Sequence, residues 1–282
     1  MKPSIWTDAF VELQPEEALE GLAEVGWRYV ELADKHWRDI DGRESAERDF
    51  KALRRLAERL SVRILQMHGP MFNICEDKNL RENVELAKRA IRWAGLLGVE
   101  WVVFHPGTLP FGEDESEIEE VRRRNVEGFR ELCAEAEKHG VGIAVENTSD
   151  GNVPGRRAFG STPTELAWLI NELGYERVGV CWDTGHANLQ RLDQYRSIKF
   201  LGRLLVATHI ADNDGSGDQH LLPYEGNVKW DDVLRALREI GYKGLFNLEV
   251  GGAVHKIPLP IRKAKIRYAF ELLDYMLGNR KG

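Results

Sequence analysis

Residues that can bind a metal ion or move a proton end seven short apolar runs of this chain. The runs read WRYVE, RILQMH, WVVFH, GIAVE, VGVCWD, LLVATH and LFNLE, and they stop at Glu31, His68, His105, Glu146, Asp183, His209 and Glu249. Short runs rich in β-branched and aromatic residues are typical of buried parallel strands. The endings therefore predict a sheet whose strands present polar side chains to one shared site.

A repeated order of helix, glycine and strand indicates how these strands are connected. It occurs in EVGWRYVEL, LLGVEWVVFH, KHGVGIAVEN, ELGYERVGVCWD and EIGYKGLFNLE. Glycine at a helix end adopts the left-handed conformation without a Cβ clash. With a first strand at residues 4–6, eight strands alternate with helices predicted at residues 16–25, 46–60, 80–97, 115–139, 163–173, 189–201, 231–240 and 261–277.

This alternation predicts an α/β fold with a parallel sheet. Eight units in 282 residues match a closed (β/α)8 TIM barrel, whose site lies at the carboxyl ends of the strands. A doubly wound sheet is the rival, but it would place ligands at one switch point rather than at most strand ends. We expect a single barrel domain over residues 1–282.

Charge and composition limit the partners. The net charge is −7, so the chain gains no long-range attraction to a phosphate backbone, and nucleic acid is not expected as the main partner. The three cysteines are odd in number and form no CxxC, which indicates reduced thiols. No secretory leader and no run of about 18 apolar residues is recognisable, so we expect a cytoplasmic protein without a membrane partner.

The last four strand endings predict a metal site. They combine three carboxylates with one imidazole, a mostly oxygen ligand set that suits Mn2+, Mg2+ or Co2+ and tolerates Zn2+. A lone acid at a strand end is more often a helix cap or an ion-pair partner, so the prediction depends on the four together. The expected ligands are Glu146, Asp183, His209 and Glu249.

A second set of polar residues is expected around the first. Its members are His68, His105, His186, Asp218 and His220, which include four of the eight histidines. They could bind an additional metal ion, and His68 and His105 could equally form hydrogen bonds with the substrate. Trp6 ends the first strand and is either a hydrophobic wall for a sugar or a core residue.

Other features favour no further site. We expect Trp182 to face the helices, and Arg156 and Arg157 to be solvated loop residues rather than anion ligands. The GSGD segment at 215–218 is expected to be a flexible loop rather than a phosphate site. No GxGxxG follows a strand and no GxSxG occurs, which argues against a nicotinamide cofactor and against acyl transfer.

Four motifs carry a family resemblance. They are HPG at 105–107, VENT at 145–148, CWDTGHAN at 181–188 and DQHLLPYEGN at 218–227. In this order they resemble the xylose isomerase-like barrel superfamily, which includes sugar isomerases, ketose 3-epimerases, inosose-processing enzymes and apurinic endonucleases of the endonuclease IV type. By this resemblance the four predicted ligands match the metal site of the epimerase branch, and His186 matches a histidine that contacts substrate there.

The resemblance implies a metal-dependent isomerase or epimerase acting on a sugar, sugar phosphate or cyclitol. Glu146 and Glu249 would then move a proton through an enediolate whose charge a divalent cation stabilises. His186, His68, His105 and Trp6 would contact the substrate. One departure is that no arginine follows His209 closely, which argues against a ketose 3-epimerase in the strict sense.

Two alternatives stay open. The endonuclease branch binds three zinc ions, and each position of its larger set has a candidate here: His68, His105, Glu146, Asp183, His186, His209, Asp218, His220 and Glu249. A metal-bearing barrel that binds a sugar without turning it over is the other alternative. Relatives are often dimers or tetramers, so the resemblance also leaves a homo-oligomer open.

Overall fold

Eight parallel strands form one sheet in the computed structural model, which describes residues 1–76, 78–109, 111, 115–152 and 156–278. The strands are β1 Lys2–Trp6, β2 Tyr29–Leu32, β3 Arg63–His68, β4 Trp101–Phe104, β5 Gly142–Glu146, β6 Val178–Asp183, β7 Leu205–His209 and β8 Leu245–Leu248. From β1 to β7 each strand pairs with its neighbour in sequence, and β1 also pairs with β8. The ring closes where the amide of Ile210 donates to the carbonyl oxygen of Asn247 at 2.8 Å, and the amide of Glu249 donates to that of Ile210 at 3.0 Å.

Helices surround this barrel. Within the described residues they are α1 Pro15–Val25, α2 Asp34–Asp41, α3 Ala46–Arg59, α4 Leu80–Leu97, α5 Glu115–His139, α6 Pro163–Leu173, α7 Thr184–Leu189, α8 Gln194–Leu201, α9 Trp230–Glu239, α10 Gly251–Val254 and α11 Leu259–Met276. The predicted (β/α)8 fold is confirmed. Among the described residues, no helix combines the length and apolar character that a bilayer crossing requires.

The helix ends follow the sequence signals. Gly98 and Gly174 end α4 and α6 in the left-handed conformation, with φ of 79° and 66°. The side chain of Thr162 accepts a hydrogen bond from the amide of Glu165 at 3.3 Å, and the Glu165 carboxylate accepts one from the amide of Thr162. This reciprocal capping box fixes the start of α6.

One helix prediction was wrong, and short helices were missed. The helix predicted at 189–201 is two helices, α7 and α8, separated by a turn in which Arg191 has a φ of 54°. The predictions also missed α2, whose eight residues bury only His36, Trp37 and Ile40 and so show too short an apolar pattern for recognition.

Small side chains fill the barrel beneath the site. Val103, Ala144, Cys181 and Ala207 form an interior cluster that is separate from the main core between sheet and helices. Successive residues of a strand face opposite sides, so residues two positions further along face the same way. The interior positions that follow this cluster are therefore His105, Glu146, Asp183 and His209.

Candidate active site and metal centre

Four side chains from four neighbouring strands meet at the carboxyl end of the barrel. We call Glu146, Asp183, His209 and Glu249 the inner group. One possible ligand atom from each lies within 4.8 Å of one from every other member, and all four residues are buried. The four predicted ligands are thus brought together by the strand register.

Each member of the inner group leaves one buried polar atom without a hydrogen-bond partner. The atoms are Glu146 Oε2, Asp183 Oδ2, His209 Nδ1 and Glu249 Oε2. An unsatisfied buried polar atom costs roughly 1–3 kcal/mol, so four in one place require an explanation. A divalent cation bound by three carboxylates and one imidazole fits this set of atoms.

His209 is oriented from below by Glu31. The Nε2 atom of His209 lies 2.9 Å from Glu31 Oε2 and 3.1 Å from Oε1, which leaves Nδ1 for an ion. Glu31 also accepts hydrogen bonds from Gln66, at 3.0 Å, and from Asn247. A carboxylate on the far nitrogen of a metal-binding histidine fixes the tautomer and the ring orientation.

Asp183 is oriented by its own backbone surroundings. Its Oδ1 atom accepts a hydrogen bond from the amide of His186 at 2.5 Å and caps α7. Its amide donates to Asn147 Oδ1 at 2.6 Å, and Asn147 Nδ2 donates to the Asp183 carbonyl oxygen at 2.9 Å. These contacts leave Oδ2 directed away from the helix end and available to an ion.

His68 and His105 approach the inner group through Glu146. The Nε2 atoms of the two histidines lie 3.7 Å and 3.1 Å from Glu146 Oε2. His68 Nδ1 lies 2.8 Å from the carbonyl oxygen of Gly69, so Nδ1 carries a proton and Nε2 is the nitrogen that faces Glu146. His68, His105 and Glu146 also have ligand atoms close enough to hold an ion.

The remaining candidates form an outer group, His186, Asp218 and His220. Asp218 Oδ2 lies 3.3 Å from His186 Nε2 and 2.9 Å from His220 Nε2. The Nδ1 atom of His186 lies 2.8 Å from the carbonyl oxygen of Asn147. The Nδ1 atom of His220 lies 3.1 Å from the carbonyl oxygen of Glu249. The GSGD segment thus contributes Asp218 to the site.

The carboxylates and imidazoles of the site change one another's pKa values. Burial raises the pKa of Asp183 to about 7, against the opposing effect of His186. Burial would raise the pKa of Glu249, but His209 and His220 outweigh it and lower that pKa to about 2. Burial lowers the pKa of His68, yet Glu146 outweighs it and raises the pKa to about 9. Imidazolium charges here balance buried carboxylates, which a divalent cation would also do.

A cavity of about 430 Å³ opens above these residues. It is lined by Trp6, Asp8, Asp34, Lys35, His68, Met71, His105, Glu146, His186, Asp218, His220, Glu249, Gly251, Gly252 and His255. Asp183 and His209 do not line it. The predicted substrate contacts Trp6, His68, His105 and His186 all belong to its wall, and the Trp6 ring centroid lies 5.8 Å from that of His68.

Several residues outside the cavity behave as the sequence indicated. Trp182 is buried, and its Nε1 donates to Gln194 of α8 at 3.2 Å. Arg156 pairs with Glu117, and Arg157 pairs with Glu165 at 3.0 Å. Both arginines are partly exposed loop residues outside the cavity.

Sequence reasoning missed the groups that hold the site in place. Glu31 was expected at the opening, but it supports His209 from inside the barrel. Gln66, Asn147 and Asn247 were not singled out. The positions of Gln66 and Asn247 in the sequence could have identified them. They precede His68 and Glu249 by two residues, and residues two apart on a strand face the same side, here the barrel interior.

Comparison with known proteins gives the family. The model of the xylose isomerase-like TIM barrel family matches residues 19–275. An uncharacterized protein of Methanocaldococcus jannaschii is 29% identical over 208 residues, which are 72% of this chain and 69% of that protein. The inosose isomerase of Bacillus velezensis is 27% identical over 191 residues, 64% of this chain and 63% of that enzyme.

Solved structures agree in fold. A D-tagatose 3-epimerase-like protein superimposes with a TM-score of 0.79 at 24% identity, covering 99% of both chains. The IolI protein with a bound zinc atom superimposes with a TM-score of 0.80 at 20% identity, covering 100% of both chains. The match of the family model over most of the chain shows that this protein belongs to the xylose isomerase-like TIM barrel family.

Proposed function

We propose that this protein is a divalent-metal-dependent isomerase or epimerase of a sugar or cyclitol, which moves a proton on the carbon next to a carbonyl. One observation carries the proposal: the inner group divides into two roles. Glu146 and Glu249 line the cavity, whereas Asp183 and His209 lie beneath it. Two carboxylates can therefore reach a substrate, and the other two residues serve only the ion.

The two cavity carboxylates come from different strands. Glu146 ends β5 and Glu249 follows β8, and each places an oxygen 3.1 Å from Nδ1 of His209. In the proposed reaction one carboxylate accepts the proton from the substrate carbon and the other returns a proton. A cation bound there would act as a Lewis acid that stabilises negative charge on the substrate oxygens.

The relatives support the substrate class. The similar proteins named above include an inosose isomerase and a D-tagatose 3-epimerase-like protein, and the IolI structure contains zinc. Trp6 offers an aromatic face in the cavity, and His186 lines the same cavity, where its Nε2 could exchange Asp218 for a substrate oxygen. Mn2+, Mg2+, Co2+ and Zn2+ all suit the ligand set.

The test measures exchange of substrate hydrogen in D2O by NMR. The purified protein is incubated with D-tagatose, D-psicose, D-fructose and an inosose, in the presence of Mn2+, Mg2+, Co2+ or Zn2+. We expect exchange with at least one compound, its loss with EDTA, and a fall of about two to four orders of magnitude in Glu249→Gln. Glu172→Gln, an exposed carboxylate on α6, is the matched control.

Three results would count against this function. Full activity of metal-free protein would remove the need for the ion, and normal exchange in Glu249→Gln would remove its catalytic role. Tight sugar binding without any exchange would identify the non-catalytic sugar-binding barrel instead.

Phosphodiester hydrolysis at abasic sites is the second candidate. The observation in its favour is that His68 and His105 join Glu146, while Asp218 joins His186 and His220, so all nine residues of the larger set converge. Three ions per chain and incision of an abasic duplex, lost in His68→Ala, would favour it. The net charge of −7 and the cavity residues Asp8 and Asp34 oppose binding of a polyanion.

A further inference from the structure

Part of the cavity wall belongs to neither the inner nor the outer group. It is formed by residues that follow β1, β2, β3 and β8, and we call it the rim: Asp8, Asp34, Lys35, Met71 and His255. A ligand that fills the cavity would contact the inner group at one end and the rim at the other. The rim is therefore where the part of a substrate remote from the ion would bind.

Asp8 and His255 form a pair within the rim. His255 Nε2 lies 2.9 Å from the carbonyl oxygen of Asp8 and 3.1 Å from Asp8 Oδ2. Asp8 raises the pKa of His255, which favours the ring with a proton on both nitrogens. Within the described part of the chain, His255 Nδ1 and Asp8 Oδ1 have no hydrogen-bond partner. The pair thus keeps one donor and one acceptor for a ligand.

A buried arginine fixes the backbone on which the pair is carried. Arg262 of α11 is 2% exposed, and it donates to the carbonyl oxygens of Ala9 at 3.2 Å and of His255 at 3.1 Å. The same guanidinium donates to both carboxylate oxygens of Glu12, at 2.5 Å and 2.7 Å. Arg262 therefore joins the segment after β1 to the segment after β8. Groups that are held in place before binding lose little entropy on binding.

Two further contacts determine where the pair lies. A Cβ atom on Gly251 would come within 2.8 Å of His255 Cε1 and 3.1 Å of Asp8 Oδ2, so only glycine leaves the pair undisturbed. On the side of β2, the hydroxyl of Thr7 accepts a hydrogen bond from the amide of Ala33 at 2.9 Å. The pair is thus positioned by packing and by hydrogen bonds from both neighbouring segments.

The charges of the rim indicate the chemistry of the ligand. Each cation of the rim already has a carboxylate beside it, since His255 pairs with Asp8 and Lys35 pairs with Asp39 at 2.7 Å. Asp34 adds a further carboxylate, and Lys35 is the only lysine or arginine among the described residues that line the cavity. A phosphate ester, with a charge of about −1.5 to −2, would find no uncompensated cation here. A hydroxyl group both donates and accepts, which matches what the pair leaves unused.

We propose that Asp8 and His255 bind a free hydroxyl group at the end of the substrate remote from the ion, and that the protein therefore takes unphosphorylated compounds. The hydroxyl accepts a hydrogen bond from His255 Nδ1 and donates one to Asp8 Oδ1. This inference rests on the proposed function, because an ion at the inner group holds the carbonyl end of the substrate.

Calorimetric titration of the Mn2+-loaded protein with D-tagatose, D-psicose, D-fructose and an inosose tests the contact. We expect at least one compound to bind, with a dissociation constant at least about tenfold higher in His255→Ala and in Asp8→Ala. His139→Ala is the matched control, since His139 also pairs with a carboxylate, Glu135 at 3.3 Å, and is 33% exposed, but lies outside the cavity. Native affinity in both rim variants overturns the proposal. Equal weakening in His139→Ala, or no binding by the native chain, does so as well.

Two analogues of the compound that binds most tightly make the test specific for a hydroxyl group. The first lacks the hydroxyl most remote from the carbonyl, and it should bind the native protein at least about tenfold more weakly than the parent. His255→Ala should bind the two equally; a full difference in that variant refutes the contact. The second carries a phosphate on the same hydroxyl, and it should also bind at least about tenfold more weakly. Equal or tighter binding of the phosphate ester refutes the exclusion of phosphates.

Binding and turnover distinguish this inference from the proposed function. Binding that depends on His255 and Asp8, without exchange in D2O, would count against the proposed function but not against the contact. Exchange by a protein whose dissociation constants are unchanged in both rim variants would do the reverse. Metal affinity should be unchanged in both variants, which shows that a weaker contact with the sugar is not a general loss of structure.

Discussion

The inner and outer groups contain the same kinds of side chain but differ in how their polar atoms are satisfied. The inner group lies on strand ends, and each member keeps one buried atom without a partner. The outer group lies on α7 and on the segment between β7 and α9, residues 210–229, and in it Asp218 accepts from both His186 and His220. Unpaired buried atoms destabilise a fold unless a ligand completes them. The inner arrangement therefore indicates an ion, whereas the outer one is complete by itself.

The largest expected effect separates the two groups directly. Asp183→Asn keeps the cap on α7 but removes a charged ligand, so the affinity for Mn2+ or Zn2+ should fall by more than about 100-fold. Asp218→Asn should change it by less than about tenfold. Calorimetric titration with metal analysis measures both. Equal losses in the two variants would show that the groups act as one site.

Glu31→Gln should have the next largest effect. The variant keeps the shape of the side chain but weakens its bond with His209 Nε2, so the orientation and basicity of the imidazole change. We expect a loss of metal affinity of about 10–100-fold with the fold retained. Glu172→Gln is the control. An unchanged affinity in Glu31→Gln would mean that the barrel alone orients His209.

The effect of pH on the stability of the metal-free protein should be smaller than the effects of these two substitutions on metal affinity. The pKa values of Asp183 and His68, about 7 and about 9, lie above their ordinary values, so the folded state binds more protons than the unfolded state. The stability they contribute is present at low pH and is lost as pH rises through about 7 and then about 9.

Thermal unfolding at pH 6, 7.5 and 9 checks this sign. With EDTA the Tm should fall by several degrees across this range. With Mn2+ present the ion takes the place of the protons, so the gain in Tm on adding metal should increase with pH. A metal-free Tm that rises from pH 6 to 9 would contradict the raised pKa values of Asp183 and His68.

Ser4→Ala should give the smallest effect. Ser4 donates to Asn247 Oδ1 at 2.7 Å, and Asn247 in turn donates to Glu31, which contacts His209, so Ser4 would be four contacts from a bound ion. Loss of the hydrogen bond should lower the free energy of unfolding by about 1 kcal/mol and change metal affinity less than about tenfold. Urea unfolding and metal titration measure the two quantities. A larger loss of metal affinity would extend the supporting network to β1.

The sequence predicted the barrel because its signals are local. Alternation places Glu146 two residues after Ala144 and Asp183 two residues after Cys181, and glycine caps mark the preceding helix ends. The inner group follows from these signals together with the rule that strand ends of a barrel surround one opening.

The role of Glu31 was not predictable in the same way. The register between β2 and β3 shifts between Val30 and Glu31, so Glu31 lies opposite Gln66. An irregularity of this kind changes where a side chain points, and it depends on the pairing of two strands rather than on either run alone. The pairing of Asp218 with two histidines likewise depends on the path of a long loop.

The strands that hold the inner group have a consequence for assembly. The four side chains of the inner group come from the ends of β5, β6, β7 and β8. The ring of His209, however, is oriented by Glu31 on β2. The amide of Glu249 also bonds to Ile210 across the junction of β7 and β8, so this junction must form before Glu249 is in place. A partly folded chain with only β5 to β8 assembled would therefore carry all four possible ligands, but Glu31 would not yet orient His209. Tight binding of a cation would thus require the ring to be continuous.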